Sequence, residues 1–108
     1  MSTFDEREKG FEAKYKHDQE TMFKVTARRN KLLGLWAAGE LGLSGAEAEA
    51  YAKSVVAADF EKPGDEDVLQ KVKADLSAKG SQVSDRELRK RLADFAQMAR
   101  DQIAKQAS

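Results

Sequence analysis

Few side chains in this 108-residue sequence are spaced for chemistry, and those that come nearest argue for binding rather than catalysis. His17 is the only histidine, flanked by Lys16 and Asp18. A metal site needs further ligands and a nucleophilic triad needs a base and a nucleophile, and His17 has no such companions. With an ordinary pKa near neutrality it suits a pH-sensitive contact better. Asp65-Glu66-Asp67 presents three adjacent carboxylates. A calcium loop, however, spreads oxygen ligands over about twelve residues around a central glycine and closes on a glutamate. Gln70 and Lys71 stand farther along here instead, so these acids fit the start of a helix, where they favour its dipole. Gly39, Gly42 and Gly45 lack both the spacing and the preceding strand of a phosphate loop. The sequence has 0 cysteines, which excludes a disulfide framework, thiol catalysis and cysteine-based metal sites. The expectation is a protein that is not an enzyme, with no catalytic residue and no metal site.

Two basic clusters invite a nucleic-acid reading: Arg28-Arg29-Asn30-Lys31, and Arg86 to Arg91. The second encloses Leu88, so its charges decorate the solvent face of an amphipathic helix. Aromatic residues do not interleave either cluster, and 19 basic residues balance 19 acidic ones. Without a net positive field the electrostatic drive toward phosphate is missing, and no nucleic-acid partner is expected.

The first twenty residues differ from the rest. Six acidic and four basic side chains crowd a thin aromatic line there. Phe4, Phe11, Tyr15 and Met22 recur at intervals of seven, four and seven residues, which sets them along one narrow helical seam. So thin a stripe, with Gly10 inside it, stabilises an isolated helix poorly. Two readings stand. The segment is either the frayed, solvated start of the first helix or a recognition element that becomes fully helical in a partner's groove. In the second reading the aromatics serve as anchors and the flanking charges set the register.

The elements that must carry these residues are marked by clear breaks. Gly42-Leu43-Ser44-Gly45 is the first, with Ser44 and Glu47 at capping-box spacing. Lys62-Pro63-Gly64-Asp65 is the second, with Asp65 placed to cap the next helix. Lys79-Gly80-Ser81 is the third, with Ser84 and Glu87 beyond it at capping-box spacing again. Apolar residues keep helical period between the breaks. Val25, Leu32, Leu33, Trp36, Ala37 and Leu41 form the richest stripe, with Trp36 as the expected core anchor. Ala48, Tyr51, Ala52, Val55 and Val56 predict a helix over about 45–61. Val68, Leu69, Val72 and Leu76 predict one over about 65–79. Leu88, Leu92, Phe95, Ala96, Ala99 and Ile103 predict one over about 85–106. Short connections favour antiparallel neighbours, giving an all-α four-helix bundle. The division read from this pattern is a mobile, partly helical N-terminal segment at 1–19 and the bundle domain at 20–108. A single modest core is all that a chain this size supports.

The N-terminus is charged from its first turn, and apolar stretches such as Leu35–Ala38 are far short of the roughly 20 residues a bilayer requires. Neither export nor membrane insertion is expected, and the reading is cytoplasmic.

Several strings resemble a known family. Thr3-Phe4-Asp5-Glu6-Arg7-Glu8, Phe11-Glu12-Ala13-Lys14-Tyr15, His17-Asp18, Phe23-Lys24 and the run Ala27 to Ala38 closely resemble the zeta subunit family. These are inhibitor subunits of the alphaproteobacterial F-type ATP synthase. Val55 to Val68 is similar to that family's middle section, so the resemblance covers nearly the whole chain. It implies a four-helix bundle whose mobile N-terminal stretch inserts as a helix between catalytic subunits, against the rotor, and blocks ATP hydrolysis. The partners it implies are the catalytic and rotor subunits, with the protein peripheral at the inner membrane through the synthase and monomeric when free. Carried over by position, the partner-binding residues are Phe4, Asp5, Glu6, Arg7, Glu8, Phe11, Glu12, Lys14, Tyr15 and His17. Phe4, Phe11 and Tyr15 would bury in the cleft, and the charged residues would pair with its walls. No cofactor is required, although the resemblance also implies adenine nucleotide binding on the bundle. The alternative is a helical adaptor, or protein-interaction module, without inhibitory activity.

Overall fold

Glycine does much of the punctuation. Gly42 (φ 78°) and Gly80 (φ 89°) both adopt the left-handed conformation that other residues avoid. Each closes a Schellman motif. Leu43 N–H donates to the Ala38 carbonyl at 2.8 Å and Gly42 N–H to that of Gly39 at 3.1 Å. Ser81 and Gly80 repeat the pattern on Leu76 and Ser77. Both turns satisfy carbonyls that a helix end leaves without partners.

The computed structural model describes the backbone of residues 2–61 and 64–107 and the side chains of residues 19–59 and 64–106. Four helices result: α1 (Ser2–Glu40), α2 (Ala46–Glu61), α3 (Asp65–Ala78) and α4 (Asp85–Ala107). The helices end and restart around the three breaks read from the sequence, of which Lys62 and Pro63 lie outside the described residues. α1 touches each of the other three helices and forms the spine of the bundle.

Leu33 and Ala37 of α1, Val55 of α2, Val68, Val72 and Leu76 of α3 and Leu88 of α4 make the centre of the core. Each buried aliphatic side chain of this kind contributes about 1.5–3 kcal/mol before the ordering entropy is subtracted. Where α1 crosses α2, the backbones come close because Gly34 faces Ala52.

Three local expectations are corrected. Ser44 does not cap α2: the helix begins at Ala46, and the first carbonyl to accept is that of Gly45, from Glu49 N–H at 3.1 Å. Gly45 is left-handed (φ 58°), which moves the start past the serine. Asp65 does not cap α3 either. Gly64 occupies the cap position, and Asp65 in the first turn takes an ion pair instead. Trp36 is only half-buried and lies beside the core, whose centre is filled by smaller side chains. The Ser84 expectation holds in part. Its Oγ accepts from Glu87 N–H at 3.1 Å, while the Glu87 carboxylate turns toward Arg91 at 3.6 Å.

Candidate functional site

α1 carries every residue assigned to partner binding, and its C-terminal half is clamped by three side-chain contacts to α3 and α4. Toward α3, Arg29 Nη2 pairs with Asp65 Oδ1 at 3.0 Å, with the arginine side chain only 12% exposed. Toward α4, Arg28 Nη1 donates to Gln102 Oε1 at 2.9 Å. Farther along α1, the Arg91 guanidinium lies 4.4 Å from the centroid of the Trp36 ring. A cation over an indole face contributes about 0.5–1 kcal/mol at an exposed site and more when desolvated. The cluster at 28–31 is therefore not a free basic patch. Arg28 and Arg29 tie α1 to its neighbours, and Asn30 is buried in the core at 1% exposure.

Asn30 was not visible as a core residue in the sequence, since it stands among cations. Its Oδ1 accepts from Arg29 Nε at 3.1 Å, and its Nδ2 has no partner among the described residues. The second cluster is similarly engaged. Arg89 pairs with Glu66 at 2.6 Å, and Arg91 is held by Trp36 and Glu87. The Glu66 carboxylate raises the pKa of Arg89, first through their hydrogen bond and then through charge. Lys73, bonded to Asp85 at 2.7 Å, holds that carboxyl below its ordinary range. α2 and α3 are braced by Tyr51 Oη, which donates to Asp75 Oδ2 at 2.8 Å. Burial, and after it the Asp75 contact, raises the Tyr51 pKa and keeps the phenol protonated.

These contacts fix the register between α1 and α4. Pairing Arg28 with Gln102 in antiparallel helices brings the last turn of α4 beside Thr21 and Met22, and Ile103, Ala104 and Gln106 line a groove with them there. α4 is helical through Ala107, so its last turn lies beside this part of α1. α1 itself is continuous through this point, back to Ser2. At 1.5 Å per residue, 39 helical residues span about 58 Å, and the first nineteen account for about 28 Å of that.

Phe4, Asp5, Glu6, Arg7, Glu8, Phe11, Glu12, Lys14, Tyr15 and His17 lie on the α1 backbone, and their side chains fall outside the described residues. Of the seam they begin, Met22 is described, and it is 68% exposed. Phe23 beside it is 56% exposed. Among the described residues, no group of three potential ligands is placed to hold a metal ion, and no helix is long and apolar enough to cross a membrane.

Comparison with known proteins gives this geometry a context. The family model for ATPase inhibitor subunit zeta matches residues 1–102, which includes the N-terminal segment as well as the bundle. A protein solved in solution by NMR is 48% identical to this chain, with a TM-score of 0.68 over 78% of this chain and 95% of that one. No curated protein matches.

Proposed function

The chain belongs to the ATPase inhibitor subunit zeta family, and from that premise we propose that it inhibits the catalytic head of the F-type ATP synthase without being an enzyme itself. The observation that carries the reading is the family match over residues 1–102, which takes in the N-terminal segment together with the bundle. Residues 1–19 insert as a helix at a catalytic subunit interface near the rotor. Phe4, Phe11 and Tyr15 bury in the cleft, Asp5, Glu6, Arg7, Glu8, Glu12 and Lys14 pair with its walls, and His17 lies at its mouth. The bundle at 20–108 is the handle. The clamps at Arg28, Arg29 and Trp36 give the wedge a rigid base.

Such a wedge stalls turnover without great total affinity. It has only to be more stable in one rotary state than in the next, because a ligand shifts an equilibrium only by its differential affinity. No cofactor is needed for this. Adenine nucleotide binding on the bundle stays part of the proposal through the family resemblance, as does a cytoplasmic location at the membrane-bound synthase.

Phe11→Ala tests the mode of insertion. An aromatic anchor at the centre of an interface costs about 2 kcal/mol or more when truncated, so inhibition should weaken by roughly 30-fold. The bundle should melt as before, because Phe11 precedes the clamps. Unchanged inhibition would remove Phe11 from the site.

A further inference from the structure

The groove between the start of the bundle portion of α1 and the last turns of α4 has a composition unlike the rest of the molecule. It encloses about 600 Å³, and Met22, Val25, Ala96, Ile103 and Ala104 supply its apolar surface. Its charged lining consists of Lys24, Arg29 and Arg100, and no acidic residue among the described ones lines it. In a chain with 19 charges of each sign, that is a local segregation. Arg29 is neutralised by Asp65. Arg100 bonds the neutral Gln97 at 2.8 Å, and neither it nor Lys24 has a carboxylate within ion-pair distance among the described residues.

Position decides what this surface meets. Met22 lies five residues beyond His17 on one continuous helix, a rise of about 8 Å. A helix inserted as far as His17 therefore brings the groove against the wall at the mouth of the cleft. This placement rests on the insertion proposed under the function. We infer that the α1–α4 groove is a second docking surface for the ATPase head, and that it takes an acidic amphipathic segment of the head's outer wall. The apolar face of that segment lies on Met22, Ala96 and Ala104, and its carboxylates pair with Lys24 and Arg100. The wedge blocks rotation, and the groove holds the wedge in place.

The test uses the full chain and measures affinity for the isolated head at several salt concentrations, together with the depth of inhibition at saturation. Two variants address the groove independently. Lys24→Glu/Arg100→Glu reverses the rim, and Ala104→Trp fills the floor at an exposed position. Both should bind at least about fivefold more weakly while still inhibiting fully at saturation, and the reversed rim should flatten the salt dependence. Thermal melting beside each titration identifies a variant that has lost its fold, and the other variant then carries the test. If the wild type inhibits and both folded variants bind as tightly as it does, the groove inference is overturned and the insertion reading survives. If the wild type does not bind the head at all, both fall. Self-association of the wild type that Ala104→Trp abolishes would reassign the groove to a second copy of this chain, and would also overturn the inference.

Discussion

Gly34 on α1 meets Ala52 on α2 so closely that a Cβ built on the glycine would stand 2.7 Å from the Ala52 Cα and 3.3 Å from the Val55 Cβ. Its nearest obstacle is backbone, which cannot rotate aside. This contact sets the distance between the two helices and, through α1, the base from which the N-terminal segment projects.

Gly34→Ala should therefore destabilise the protein although alanine is the better helix former. Overpacking costs about 1–3 kcal/mol, against about 1 kcal/mol gained in helix propensity. Gly39, five residues on, has nothing within 4 Å of an added Cβ. Gly39→Ala should stabilise by up to about 1 kcal/mol. Opposite shifts in the thermal midpoints of the two variants would confirm the crossing, and shifts of the same sign would contradict it.

Arg91 reads in the sequence as one of several solvent-facing cations, yet its guanidinium covers Trp36. Arg91→Ala should cost about 1 kcal/mol and change the fluorescence of the single tryptophan. Arg91→Lys should recover little of either, because an ammonium lacks the flat face that stacks on indole. A lysine variant indistinguishable from the wild type would reduce the contact to simple charge.

Gly10 lies inside the proposed wedge. If inhibition requires this segment to order as a helix, Gly10→Ala lowers the ordering cost by about 1 kcal/mol, and the inhibition constant should fall by up to about fivefold. The bundle's melting should not move. No change in inhibition would mean that helix formation is not part of the binding step.

Much of the architecture is legible from local signals. Gly42 and Gly80 stop helices because a left-handed closing residue is nearly a glycine requirement, and a lone glycine after an apolar-periodic run announces it. Val68, Leu69, Val72 and Leu76 are all buried, as their period requires. What the sequence hides depends on tertiary context. Ser44 has the right neighbours for a cap, but Gly45 takes the position through its backbone conformation. Asn30 is indistinguishable by type from a surface residue, and only the convergence of α1 on the bundle buries it. Arg29 and Arg89 look like a basic surface because their partners, Asp65 and Glu66, lie 36 and 23 residues away. The α1–α4 groove is half-legible. Met22 extends the aromatic seam at helical spacing, but the opposing wall, from Ala96 to Gln106, emerges only with the antiparallel register.

The most direct measurement is ATP hydrolysis by the isolated catalytic head of an alphaproteobacterial synthase, titrated with the full chain and with a form lacking residues 1–19. Among the described residues the buried core lies within residues 30–103, and the shortened form retains all of these. The full chain should inhibit and the shortened form should not, even where it still binds through the groove. Equal inhibition by the two forms would contradict the wedge and move the inhibitory contact onto the bundle.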